Sequence, residues 1–409
     1  MKNNDDLFIW GDNWWIESDR AWFVWGMENI LLCIDLITRK CESAVCIPDD
    51  NPKKFRLTPY CIKYDKYIFC LPGLGESIWV YDLEDQYFSK IDIDNPNKGQ
   101  MGFEFWVWED KLFAVSTGEL RKILEINIVQ KKIDNYYTIC EEGRLARSVM
   151  VNNAIYILSA ESNMVYQFDL KTKAIKTHTL PDIDGKLWTI CFDGEEFWLS
   201  GFQKEVYVWN PNTNMINLIT NFPKGFGVYD FTKETTTGEV DCVSEKYEYH
   251  VFNFSVAAGN RIWFIPYNAN KILYADKGMH ELHSFEIDEE NETKESIMAR
   301  TSLGYKYLLG YLKDDRYLGL FSIKNNCMLE IDTVEMRYAY KRYDYCTGID
   351  DNCLKEYAKQ RGSIFYEANL WHRSVYKELI SVMDSESRNI SECDIGKDIY
   401  KKISTDMGK

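Results

Sequence analysis

The chain has 409 residues, 45% of them hydrophobic and 15% aromatic, with nine Pro and a formal charge of −16. That acidity, with no dense Lys/Arg cluster to reverse it locally, argues against nucleic acid as a partner. The apolar runs are too short to span a bilayer, Met1–Asp6 has no apolar signal core, and the twelve Cys show no Cys-x-x-Cys spacing, so a soluble cytoplasmic protein without a metal site is expected.

In chain order, Leu7–Trp10 reads as a possible outer strand, and a repeating unit begins after it. Each unit is an aromatic-rich strand, a turn, and further strands, of which the third ends in Asp or Asn before a polar tight turn. The marker falls at Asp35, Asp82, Asn127, Asp169, Asn210, Asp276 and Asp332. Its side chain is suited to hydrogen-bonding the backbone of the turn that follows.

A period of forty-odd residues is the signature of four-stranded sheets arranged radially. The expected fold is all-β, a single seven-bladed β-propeller of four-stranded antiparallel blades. The units span about 13–48, 55–95, 103–141, 144–181, 187–223, 249–288 and 303–345. In the sixth unit Met279–His283 reads as part of an outer strand, which puts His280 and His283 on opposite faces and disfavours a zinc site.

Two segments break the rhythm. The polar stretch 225–248 reads as an insertion over one face of the disc. From 347 to 409 the strand pattern stops, and Ile364, Ala368, Trp371, Val375 and Leu379 recur at the spacing of one helical face. A C-terminal helical extension packed on the propeller is expected.

The phrases Ile34-Asp35-Leu36-Ile37-Thr38 and Phe168-Asp169-Leu170-Lys171-Thr172 resemble the Asp-Leu-x-Thr turn of the β-propeller superfamily, particularly its kelch-like and YVTN-like bacterial repeats. The chain lacks the paired glycines of kelch repeats and the Gly-His and Trp-Asp dipeptides of WD repeats. The resemblance implies the fold over about 13–346 and leaves the activity open, since propellers host many functions.

Ligands of propellers gather where the inner strands begin. That places Trp14, Arg56, Glu104, Trp106, Arg144, Arg147, Trp188, Asn253, Tyr305 and Lys306 near one mouth of the central channel, with His250 beside them. Converging Arg, Lys and Glu would orient a polar group while the rings supply contact area. Glu104, Arg147 and His250 are the residues that an enzyme at this rim would use, because a carboxylate among cations and a lone imidazole are the available acid–base groups. No Walker-type loop, Gly-x-Gly-x-x-Gly or Gly-x-Ser-x-Gly elbow is present, and no cofactor is expected. The preferred expectation is a non-catalytic binding or scaffolding module for a protein or peptide. The alternatives are a lyase or hydrolase acting on a sugar or small metabolite at the rim, and a carbohydrate-binding module.

Overall fold

A computed structural model describes residues 14–25, 29–48, 58–73, 75–94, 102–117, 120–181, 183, 186–228, 250–267, 269–287, 309–313, 316–322 and 327–342. The expected strand at Leu7–Trp10, most of the 225–248 insertion and the 347–409 extension lie outside them. The described strands form seven four-stranded antiparallel sheets, each in simple meander order. Blade one runs from Trp14 to Cys46, blade two from Tyr60 to Asp92, blade three from Phe103 to Thr138, and blade four from Leu145 to Thr179. Blade five runs from Leu187 to Ile219, blade six from Phe252 to Phe285, and blade seven from Leu309 to Arg342.

The core is distributed between blades, which explains the unbroken apolar runs of the middle strands. Phe23 and Trp25 pack toward blade seven, where Met328 meets them, whereas the alternate residues Trp22 and Val24 pack on Cys61, Ile68 and Cys70 of blade two. The same division recurs at every seam, so seven apolar clusters join seven neighbouring pairs and the last of them closes the ring. Trp198, Trp209 and Trp263 are fully buried in this way. The buried thiols are free, and burial pushes that of Cys33 up to about 12, which makes it an apolar filler with little nucleophilic character.

The Asp/Asn marker shapes the turn between strands three and four. Asp35 accepts from the N–H groups of Ile37 (2.8 Å) and Thr38 (2.7 Å), and Asp169 from those of Lys171 (2.9 Å) and Thr172 (2.7 Å). Asp82, Asn210 and Asp332 repeat the double bond, and Asn127 keeps one of the two. Asp276 departs: it is ion-paired with Arg261 at 3.0 Å, and its turn closes through Gly278 at φ 77°. The outer strand of blade six is correspondingly short, His283–Phe285, and His280 lies before it. The expected strand from Met279 is thus corrected: without the side-chain clasp the turn runs longer before pairing resumes.

Four residues after each of the other six markers stands a residue in the left-handed region: Arg39, Gln86, Lys131, Lys173, Asn214 and Met336, at φ 51–61°. None is Gly, although this conformation costs L-residues about 1–2 kcal/mol. Several of these side chains reach the preceding blade. The Lys131 ammonium lies 4.2 Å from the Tyr67 ring, that of Lys173 lies 4.4 Å from Phe113, Asn214 donates to the Thr179 carbonyl at 3.4 Å, and Met336 packs on the cluster between blades six and seven. The strained backbone therefore aims a latch across the seam.

Two substitutions separate strain from latch. Arg39 is exposed, so Arg39→Gly should raise stability by about 0.5–1 kcal/mol, the left-handed cost less the extra unfolded-state entropy of Gly. Lys173→Gly relieves the same strain but removes the contacts with Phe113, Trp108 and Glu125, and should lower stability by about 1–2 kcal/mol in urea melts.

Candidate functional site at the channel mouth

The inner strands all begin at one face of the disc, and in three consecutive blades that beginning is irregular. In blade four Leu145 pairs with Ser159 and Ser148 with Ile157, which leaves one residue too many around Arg147. In blade five Trp188 is extra between the pairs Leu187–Gly201 and Thr189–Ser200. In blade six Asn253 is extra between Phe252–Pro266 and Phe254–Ile265. Such β-bulges bend a strand and re-aim side chains. Blade three has no bulge there, and Glu104 pairs regularly with Val115.

The bulge in blade four frees the Ser148 N–H from the ladder, and Glu104 of blade three captures it. Glu104 Oε2 accepts from Ser148 N–H and from Ser148 Oγ (2.8 Å), while Oε1 accepts from Arg147 Nη1 at 2.9 Å. Trp106 Nε1 in turn donates to Ser148 Oγ at 2.9 Å. Both carboxylate oxygens are occupied, so Glu104 orients Arg147 and the bulged strand.

A second group adjoins the first. His250 stacks on Trp188 at 4.4 Å between ring centroids, with Tyr267 at 4.3 Å on it and the Phe202 ring edge-on at 5.9 Å. Burial, with the Arg147 charge adding to it, drives the imidazole down to about 3 against the opposing hydrogen bond from Asn253, so His250 is neutral at physiological pH.

Four buried polar atoms here have no hydrogen-bond partner: Arg147 Nε, Trp188 Nε1, Thr189 Oγ1 and His250 Nε2. Each unmet buried group costs about 1–3 kcal/mol. What marks the mouth is the run of three bulged inner strands that bring these side chains together.

The sequence-based candidates are thus distributed as follows. Glu104, Trp106 and Arg147 form one hydrogen-bonded group, and Trp188, His250 and Asn253 form the adjoining one. Trp14 is 6% exposed and stacks on Phe23 at 4.1 Å in the seam between blades seven and one. The Arg144 side chain is exposed, and its backbone carbonyl accepts from Ala160 N–H at 2.8 Å. Arg56, Tyr305 and Lys306 lie outside the described residues. Sequence reading missed Ser148, Thr189, Phe202 and Tyr267. A hydroxyl residue interrupting an apolar inner strand, as in Leu187-Trp188-Thr189-Ile190, was the available signal for two of them. Among the described residues no group of His, Cys, Asp and Glu has metal-holding geometry, and no helix is long and apolar enough to cross a membrane.

No family model and no curated protein matches the chain. Among solved structures it is similar to the computationally designed Ika8 protein, with a TM-score of 0.52 and 6% identity over 83% of this chain and 88% of that one. At that identity the likeness is one of fold.

Proposed function

We propose that the chain is a non-catalytic binding module that recognises a protein or peptide through the face on which the inner strands begin. The observation that carries this reading is the Arg147 guanidinium, 32% exposed and held by Glu104, at a mouth where three consecutive inner strands are bulged. An acceptor group from a partner would pair with that guanidinium, while the rings of Trp188 and Tyr267 supply contact area beside it. Glu104 supports this role by fixing the guanidinium in advance, so that little side-chain freedom is lost on binding.

The test is quantitative capture of partners from the native host with the full-length protein and with the Glu104→Ala/Arg147→Ala double variant. Capture should fall about tenfold or more, the loss of one or two charge-assisted hydrogen bonds at an interface centre. The reading fails if turnover of a metabolite disappears with that variant while partner capture survives.

A further inference from the structure

On the face opposite the channel mouth just described, where the hairpin turns lie, neighbouring seams are filled differently. Between blades three and four two long side chains occupy the slot. Lys173 places its ammonium 4.4 Å from the Phe113 ring, 5.4 Å from Trp108 and 3.7 Å from the Glu125 carboxylate. Trp108, which ends its inner strand, donates its indole N–H to Asn153 Oδ1 at 3.3 Å. Between blades two and three Lys131 does the same work, 4.2 Å from Tyr67, 5.5 Å from Tyr87 and 3.8 Å from the Asp82 carboxylate.

The strand registers identify the equivalent positions one seam further on. Trp108 faces Lys111, the first residue of its second strand, as Val151 faces Ala154. Tyr156 therefore corresponds to Phe113, and Asn214, four residues after its marker, corresponds to Lys173. Both fillers are shortened at this seam. Val151 replaces an indole, and Asn214 is turned to its own Trp209 Nε1 (3.0 Å) and to the Thr179 carbonyl. What remains is a cleft of about 460 Å³ lined by Val151, Asn152, Tyr156, Phe192, Glu195 and Asn212 among others. That volume lies in the range of small-ligand sites.

We propose that this cleft between blades four and five is a binding slot for a lysine side chain of a partner peptide. The neighbouring seams display the chemistry that the slot accommodates: an alkyl stem entering between blades, an ammonium over an aromatic ring, and a carboxylate within reach. Here Val151 and Phe192 flank the stem, the part of the Tyr156 ring that Phe197 (4.5 Å) leaves open receives the ammonium, and Glu195 on the adjoining turn of blade five supplies the charge, since the register equivalent of Glu125 is Gln167. Asn152 and Asn212 add amide oxygens as acceptors, and the acidic surface favours approach of a cation. The proposal is independent of the function assigned to the other face, since the two sites share no residue.

The test uses Nα-acetyl-lysine amide as the probe, with Nα-acetyl-norleucine amide, which has the stem without the charge, as its control. Backbone amide resonances of Asn152 and Gly194 are followed by NMR in the full-length protein. Saturable shifts with a millimolar dissociation constant are expected for lysine, with norleucine weaker by about tenfold, the scale of one desolvated cation–π contact. Val151→Trp, which restores the filler of the preceding seam, should abolish the shifts, and Glu195→Gln should weaken binding several-fold without changing the melting temperature. Equal binding of norleucine, no saturable shift in the wild type, or unaltered binding in a folded Val151→Trp variant would overturn the proposal. Because Glu195 is exposed, its variant gives an answer even if the tryptophan substitution prevents folding.

Discussion

Adding a single methyl group at Gly201 should cost about 3 kcal/mol, the upper part of the range for overpacking a filled site. A Cβ built there would stand 1.8 Å from the Lys186 carbonyl oxygen and 2.8 Å from its carbon, and neither backbone atom can step aside as a side chain would. Gly201 pairs with Leu187 at the edge of the Trp188 bulge, and its own carbonyl accepts from Val251 N–H at 2.9 Å. The displaced segment therefore holds blade five to blade six. At about 2.1 cal/mol/K per residue, a loss of 3 kcal/mol lowers the melting temperature of a chain this size by about 3–4 °C. Gly194→Ala is the control: it lies at φ 116° with nothing within 4 Å of the added carbon, so it reports backbone strain without a clash. An unchanged melting temperature for Gly201→Ala would show that the bulge is pliable and would weaken its reading as a fixed binding element.

Acidification should destabilise the protein well before its carboxylates protonate, and His250 should account for most of that loss. Its imidazole titrates at about 3 in the folded protein against 6.5 when unperturbed. The unfolded chain therefore binds the extra proton over that interval, so stability is full above about pH 6.5, falls as the pH drops toward 3, and is flat in this respect below it. At 1.36 kcal/mol per unit, the loss between pH 6.5 and 4.5 is about 2–3 kcal/mol. His178, lowered by its burial, adds a smaller change of the same sign. Asp35, Asp169 and Asp332 are held below their ordinary values, chiefly by turn N–H groups for the first two and by Arg316 for the third. Their contribution is present above about pH 4 and is lost only as the pH falls through their lower folded values, so the two effects occupy different windows. Urea denaturation from pH 7 through 5.5 and 4.5 to below 4 for wild type and His250→Phe separates them. The variant should lose most of the slope between pH 6.5 and 4.5 and keep the acid transition below 4. An identical slope in both would mean that His250 does not carry the effect.

The architecture was legible because two physical demands recur in the sequence. Each blade needs a clasp for its outer turn, which puts Asp or Asn at one position, and each sheet is covered on both faces, which removes the polar alternation from runs such as Phe23-Val24-Trp25. Asp276 shows the limit of that signal: the residue is present, but its turn closes through Gly278 and a backbone bond from Met279 N–H to the Asp276 carbonyl at 3.0 Å. The mouth was partly legible. Counting to the start of each inner strand found Glu104, Arg147, Trp188 and Asn253. The bulges that re-aim three of them were not foreseeable, because one extra residue in a ladder depends on what its partner strand allows. Trp14 illustrates the opposite failure. It starts an inner strand as Trp188 does, yet the neighbouring Phe23 draws it into the closing seam.

The latches that cross from blade to blade are written in different chemistries: ammonium on phenol at Lys131, ammonium on a phenyl ring with a carboxylate at Lys173, an amide on a carbonyl at Asn214, and a thioether in an apolar bed at Met336. Seven sheets of similar shape would otherwise be interchangeable tiles, free to close as a smaller or larger ring or to pair with blades of another molecule. Giving these four junctions different locks makes the order of the tiles part of the encoded information, so that a duplicated or missing blade there would meet a neighbour it does not fit.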